Sequence, residues 1–274
     1  MVFLDRSPSF SRLLKKASLA GAFFVSTIWL GAAHALCPAP ASLPAAQVQR
    51  VVDGDTLRLT DGRSVRMIGL NTPETGKKGQ SAEPFAEAAK RRLQALVDES
   101  GGQVRLRIGE QAADRYGRTL ANVYGRDGAN LEAQMLAEGL GYLVAIDPNV
   151  ALVSCQQSAE RTARQAGLGL WRNDPAQSAR QISRGGFALV NGTVSSVQRN
   201  SGGIWIELDD TLVLRIAPEL IGQFDARTLL RLTGSTVEAR GWVVDRSRRA
   251  GLKPGQPRLM MSITHPAMLN TIQN

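Results

Sequence analysis

The N-terminal half of the chain alternates short apolar segments with tight polar turns. Between residue 47 and about residue 70, apolar positions cluster at 51–52, 57–59 and 65–68, and Asp61-Gly62 separates the last two clusters. Asp-Gly between alternating segments is a strong signal for a two-residue hairpin. The pattern therefore predicts a three-stranded meander, with two further strands at 104–108 and 120–124.

Three other segments of this half repeat their apolar positions with the period of an amphipathic helix. They lie at residues 81–98, 131–138 and 150–166. Ser81 is a suitable N-cap for the first, and Gly139 and Gly167 suit the left-handed positions that end the other two. We expect the helices to pack on the strands, which gives a mainly β fold with helices, of the α+β class.

The pattern changes after residue 172. Residues 173–186 are polar, contain Pro175 and Gly185-Gly186, and show no apolar period, which predicts a linker. Beyond them come five alternating segments, with a short helix predicted at 218–224 between the third and the fourth. This is the layout of a small OB-type barrel, although other small barrels and sandwiches use similar strands. We predict a first domain at 36–172 and a second, smaller OB-like domain at 187–274.

Residues 1–35 have the pattern of a signal peptide. Basic residues precede an apolar run at about 17–33, and Ala33 and Ala35 are the small residues that a signal peptidase requires. The alternative is an uncleaved membrane anchor, because the run approaches the ~20 residues of a spanning helix. We predict cleavage and export to the periplasm or the medium, without stable membrane association afterwards.

Charge gives a weaker indication of function. The whole chain carries a formal net charge of +9; removal of residues 1–35 leaves 29 basic and 23 acidic residues, a net charge of +6. A basic protein is attracted to polyanions such as nucleic acid or anionic membrane. An ordinary soluble basic surface explains the same charge.

Both cysteines, Cys37 and Cys155, follow the predicted cleavage site. An exported chain meets an oxidising compartment, so an even pair favours one disulfide. The alternative is a free thiol near the terminus and a buried Cys155.

Two polar clusters in the first half carry candidate chemistry. Asp53-Gly54-Asp55-Thr56 places two carboxylates in one turn, where a hard cation such as calcium can bind, although Asp-Gly is also common in plain hairpins. Arg66 stands five residues before Asn71-Thr72-Pro73-Glu74-Thr75. A carboxylate can position or deprotonate water and a guanidinium can hold two phosphate oxygens, but a surface salt bridge uses the same pair.

A third cluster, Asp114-Arg115-Tyr116-Gly117-Arg118, is a polar turn between two predicted strands that supplies another arginine. By itself this cluster is typical of a solvated hairpin. The three clusters in this order and spacing, with the Gly-Leu-x-Leu-Trp at 167–171, resemble the staphylococcal nuclease family over residues 47–171.

The resemblance implies a fold and an activity: a five-stranded OB-fold barrel with three helices, and calcium-dependent endonuclease hydrolysis of DNA and RNA that leaves 3′-phosphates. It implies that Arg66 and Arg118 bind the phosphate and stabilise its five-coordinate transition state. Glu74 matches the general base or water-positioning carboxylate. Asp55 matches a calcium ligand, and Thr72 matches the residue whose backbone carbonyl binds the metal.

Two positions depart from the family pattern. Asn71 stands where the best-known member has a second metal-binding aspartate; its amide oxygen remains a ligand but one negative charge is lost. We expect either weaker calcium binding or a larger contribution from Asp53. At residues 144–147 the tyrosines that flank the bound nucleotide are absent.

Further substrate contacts are predicted outside this core set. In the first half the candidates are Tyr116, Lys77 and Lys78; in the second they are Trp205, Trp242, Arg248 and Arg249. Tryptophans can stack on bases, and an OB-type barrel commonly binds single strands, so single-stranded nucleic acid is the favoured partner. Alternatively both tryptophans are core residues and the basic segment is a solvated loop.

Two other classes of function remain open. One is a catalytically silent nucleic-acid-binding protein of the same fold, and the other is a structural protein built from two barrels. The presence of Arg66, Glu74 and Arg118 favours the enzyme, and no protein partner is evident from the sequence.

Overall fold

The computed structural model describes residues 36–76, 79, 81–247 and 256–272. The predicted signal peptide and the candidates Lys77, Lys78, Arg248 and Arg249 lie outside the described residues. Within the described ranges, no helix is long and apolar enough to cross a membrane.

Five strands of the first half close into a barrel in the order β1-β2-β3-β6-β5. β3 and β6 pair in parallel and the other neighbours are antiparallel, so the barrel is mixed. The predicted five-stranded barrel is confirmed. The strands of this half are β1 (Ala45–Asp53), β2 (Thr56–Leu59), β3 (Ser64–Met67), β4 (Leu70–Asn71), β5 (Gln103–Ala113), β6 (Thr119–Tyr124) and β7 (Tyr142–Leu143), with β4 and β7 paired separately.

Three helices pack on this barrel: α1 (Ala86–Glu99), α2 (Leu131–Ala137) and α3 (Val153–Gln165). The prediction that Ser81 caps the first helix is wrong. The backbone N–H of Glu83 donates to the carbonyl of Glu74, and the Glu83 carboxylate accepts from the Glu74 N–H. This pairing holds the chain before Phe85 against the Glu74 loop, so the helix starts only at Ala86.

The second half forms a sheet whose strands pair in a closed ring: β9 pairs with β10, then β11, β13 and β12, which pairs back with β9. Short β8 and β14 extend it. The elements are β8 (Gln177–Ser178), β9 (Gly186–Asn200), β10 (Gly203–Leu208), β11 (Leu212–Ile216), α4 (Ala226–Leu230), β12 (Thr236–Asp245), β13 (Leu259–Ser262) and β14 (Leu269–Thr271). We refer to this half as the C-terminal ring.

The polar segment predicted to be a linker contains short regular elements. It contains β8, which pairs in parallel with β9, and a 3-10 helix at Ala179–Gln181 capped by Ser178. These elements are too short to produce an apolar period. The helix predicted at 218–224 is a 3-10 helix, Pro218–Gln223.

Two ion pairs join the C-terminal ring to α3, one of them buried. Arg240 Nη1 lies 2.7 Å from both carboxylate oxygens of Glu160, and Arg164 Nη1 donates to Glu238 Oε1 at 2.7 Å. Arg240 and Glu160 are only 4% and 6% exposed at their side chains. The described residues of both halves belong to one compact unit.

A disulfide ties the start of the described chain to α3. Cys37 and Cys155 are bonded, with their Cα atoms 5.7 Å apart.

Candidate active-site cleft

The turn between β1 and β2 is held by close packing at Gly54. A Cβ at this position would lie 2.7 Å from both the Cβ of Ala89 on α1 and the Oγ1 of Thr72. Only glycine lets the turn approach both elements. Asp55 consequently lies close enough for its Oδ2 to accept a hydrogen bond from the Thr72 N–H at 3.0 Å.

Arg66 projects from β3 and is fixed by four oxygen partners. Nη1 donates to the carbonyls of Leu70 at 2.7 Å and Met67 at 3.0 Å. Nη2 donates to Asn71 Oδ1 at 3.1 Å and pairs with Asp55 Oδ2 at 3.0 Å. The side chain is 13% exposed, so one edge of the guanidinium is held in the protein.

The oxygens around Arg66 form a donor set that suits a hard cation. Asp55 Oδ2 and Asn71 Oδ1 converge on a single nitrogen, Nη2, which is already cationic. Burial and then the charge of Asp55 raise the pKa of neighbouring Asp53 to about 6. Ionisation of the Asp53 carboxyl is therefore costly in this position, and a bound cation would offset that cost.

Protein carboxylates alone do not complete such a site. In the described part of the chain, no three His, Cys, Asp or Glu residues gather at one point. Calcium takes six to eight oxygen ligands, including amide and backbone carbonyls and water. Asp55, Asn71 and the Thr72 backbone fit that chemistry, with Asp53 beside them.

Asp114 positions Arg118, and the two residues stand at opposite ends of the turn at residues 114–118. Asp114 Oδ1 accepts from the backbone N–H groups of Tyr116 and Arg118, each at 2.9 Å, and Oδ2 lies 2.7 Å from Arg118 Nε. Burial acts to raise the pKa of Asp114, but these hydrogen bonds outweigh it and lower the pKa. The carboxylate stays ionised and holds Arg118, whose guanidinium carbon lies 5.6 Å from the centre of the Tyr116 ring.

One cleft of about 840 Å³ brings the predicted catalytic side chains together. Arg66, Glu74 and Arg118 all line it, and so do Asn71 and Tyr116. We call it the arginine cleft. Asp55 and Thr72 lie behind it and contact it through Arg66 and Asn71. Glu74 also lines two adjoining cavities of about 830 and 1080 Å³, so it stands where the three open spaces meet.

The two candidate tryptophans of the second half are in different places. Trp242 on β12 lines the arginine cleft and is 40% exposed. Trp205 on β10 donates from Nε1 to Asn200 Oδ1 at 3.0 Å, and the guanidinium groups of Arg215 and Arg246 lie 5.3 and 5.7 Å from its ring. β9 lies between their strands, so the tryptophans do not form one platform.

Sequence reasoning did not place Trp242 in this cleft, nor did it identify Asp114 as the residue that holds Arg118. The spacing of Asp114 and Arg118 on one turn was visible in the sequence. The position of Trp242 had no local signal, because it depends on how β12 packs against the first half.

The closed mixed barrel with its packed helices defines the class of the protein as an α+β fold with an OB-like core. A family model described as staphylococcal nuclease homologue matches residues 64–173. A thermonuclease of Staphylococcus intermedius is 33% identical over 127 residues, which cover 45% of this chain and 74% of that protein. The chain therefore belongs to the staphylococcal nuclease homologue family.

Two proteins of Bacillus subtilis (strain 168) are also similar. The SPbeta prophage-derived endonuclease YokF is 34% identical over 128 residues, and endonuclease YncB is 32% identical over 128 residues, each match covering 45% of this chain. The matches cover 43% of YokF and 60% of YncB, less than two thirds of either protein.

Proposed function

We propose that this protein is a calcium-dependent endonuclease that hydrolyses phosphodiester bonds of DNA and RNA and leaves 3′-phosphates. The observation that carries the proposal is the meeting of Arg66, Glu74 and Arg118 in one cleft, with the Asp55 carboxylate directly behind Arg66. Family membership and the similarity to proteins named as endonucleases and thermonucleases support the same reaction class.

The two arginines supply positive charge for a phosphate. A guanidinium forms charge-assisted, often bidentate, hydrogen bonds to phosphate oxygens, and donors fixed in advance stabilise charge that develops in the transition state. Arg66 is fixed by Asp55, Asn71 and two carbonyls, and Arg118 is fixed by Asp114. Both therefore meet the phosphate without a large loss of side-chain entropy.

Glu74 is the candidate for activating water. It is exposed in the cleft, and its backbone is tied to Glu83 in both directions, by its N–H at 2.9 Å and its carbonyl at 3.0 Å. A carboxylate held at the junction of three open spaces can orient a water molecule or accept its proton.

Asp55, Asn71 and the Thr72 carbonyl would hold the calcium ion, with Asp53 assisting. A bound calcium ion supplies Lewis-acid polarisation of the phosphate. Asp55 Oδ2 and Asn71 Oδ1 also hold Arg66, so the arginine and the ion would share these two oxygens.

The remaining parts of the proposal concern the two ends of the chain. We infer that the C-terminal ring is an OB-type barrel that holds single-stranded substrate, with Trp205 and the basic segment that contains Arg248 and Arg249 as contacts. We infer that residues 1–35 direct export and are cleaved. The disulfide between Cys37 and Cys155 suits an oxidising compartment.

The test is release of acid-soluble nucleotides from single-stranded DNA, with calcium and with chelator. We expect Glu74→Gln and Arg118→Ala each to lower the rate by about 100-fold or more, the usual scale for loss of a general base or a charge-stabilising group. Arg227→Ala removes an exposed arginine on α4 and serves as the control. Calcium-independent cleavage would contradict the metal assignment, and binding without cleavage by the unaltered protein would favour the silent nucleic-acid-binding protein.

A further inference from the structure

Strand β12 turns one face toward the N-terminal half of the protein, residues 36–172, which we call the nuclease half. Side chains alternate along a strand, so Glu238, Arg240 and Trp242 share a face. The first two make the ion pairs with Arg164 and Glu160 of α3. These pairs fix the orientation of the strand, and Trp242 continues the same face beyond α3 into the arginine cleft.

The Trp242 ring is supported on one side and open on another. Its centre lies 5.2 Å from that of Phe187, its cross-strand partner on β9, with the rings at 68°. Phe187 in turn lies 5.3 Å from Tyr142. This aromatic packing restricts the tryptophan rotamer, while 40% of the residue stays exposed and lines the cleft.

The adjoining wall of the cleft has no aromatic side chain within residues 144–147. Val144 and Ile146 line the cleft there, and the second half is bonded to this same segment. Thr264 Oγ1 donates to the Ala145 carbonyl at 2.6 Å, and Gln223 Nε2 donates to Asp147 Oδ1 at 2.6 Å. The C-terminal ring thus packs against residues 144–147, which offer the cleft only aliphatic contacts. The same ring contributes the indole of Trp242 to the cleft.

We propose that Trp242 stacks on an unpaired base of the strand whose phosphate is bound by Arg66 and Arg118, and so makes the arginine cleft selective for single-stranded nucleic acid. The proposal rests on the proposed nuclease function of the cleft. Every base presents a flat face to an aromatic ring, but in a duplex those faces are covered by neighbouring base pairs. Trp242 is therefore a specificity-determining residue that the C-terminal ring contributes to a site of the nuclease half.

The experiment measures binding, separately from cleavage. The Glu74→Gln protein, in calcium, is titrated against a fluorescein-labelled single-stranded oligo(dT) and against a hairpin duplex with the same number of phosphates. Trp242→Ala, Trp242→Phe and the control Leu230→Ala are introduced into this protein. Leu230 is an exposed apolar residue on α4 and is not among the residues that line the three described cavities.

We expect Trp242→Ala to weaken oligo(dT) binding by about 5-fold to 150-fold, the range found for loss of one stacking contact. Trp242→Phe should restore most of the affinity, and Leu230→Ala should leave it unchanged. Duplex binding should change less than 3-fold in every variant, since phosphate contacts dominate it.

Three results would overturn the inference. They are unchanged oligo(dT) binding in Trp242→Ala, equal losses for single strand and duplex, and absence of oligo(dT) binding by the parent protein. A protein that binds in this Trp242-dependent way but never cleaves DNA would refute the nuclease proposal and leave the binding site standing. Equal melting temperatures of Trp242→Ala and the parent exclude unfolding as the cause of lost binding.

Discussion

Replacement of Arg240 by methionine tests how the two halves are joined. Methionine is similar in length and apolar, but it leaves Glu160 buried at 6% exposure without its guanidinium partner. Glu160 keeps the hydrogen bond from the Leu143 N–H, at 2.7 Å, while Glu238 keeps Arg164. Removal of one member of a buried pair costs about 3–5 kcal/mol, because the remaining charge is desolvated and unpaired.

The loss is measured by urea unfolding and by calorimetry. A loss of this size corresponds to a melting temperature lower by roughly 6–20 °C in a chain of this length. The double variant Glu160→Gln with Arg240→Met should recover much of the loss, since no unpaired charge remains. Arg258→Met is the control: its ion pair with Asp245 is exposed, and loss of a pair of this kind costs less than about 1 kcal/mol.

A loss below about 1 kcal/mol for Arg240→Met would refute the reasoning, because water would then have to reach Glu160 in the folded protein. The same variant should weaken oligo(dT) binding, because β12 carries Trp242 into the arginine cleft. Stability loss without any change in binding would separate the ion pairs from the placement of the tryptophan.

Three further predictions follow. Asn71→Asp adds a negative charge to the proposed metal site and should tighten calcium binding by roughly 10-fold or more in titration calorimetry; an unchanged affinity would place the ion elsewhere. Burial raises the pKa of Glu132 from 4.5 to about 8, so the stabilising contribution of this group should be full below pH 4.5 and fall by at most about 1.4 kcal/mol per pH unit as the pH rises to 8. Urea unfolding across this range should show that slope, and Glu132→Gln should abolish it; a flat profile for the parent protein contradicts the assignment. Replacement of Cys37 and Cys155 by serine opens a crosslink between residues 118 apart and should cost about 2–5 kcal/mol by urea unfolding, an effect that reductant should reproduce on the parent protein but not on the variant.

The strands of the N-terminal barrel were predictable because their signals are local. Alternating apolar positions and the Asp61-Gly62 turn specify β2 and β3, and glycines mark the ends of α2 and α3. The start of α1 was not predictable, since the pairing of Glu83 with Glu74 competes with a cap at Ser81. Such a contact depends on where the Glu74 loop lies in space.

The features of the arginine cleft are likewise of two kinds, those that the sequence predicted and those that only the structure revealed. Sequence motifs were enough to identify the family, the side chains of the three polar clusters and the reaction class that they imply, because these features are carried by residue types at short spacing. Tertiary structure decided that Asp55 and Asn71 share one guanidinium nitrogen, and that Trp242 of the second half lines the cleft of the first. Both features join residues that lie far apart in the sequence, and only the packing of the folded chain sets the distances at which ions pair and rings stack.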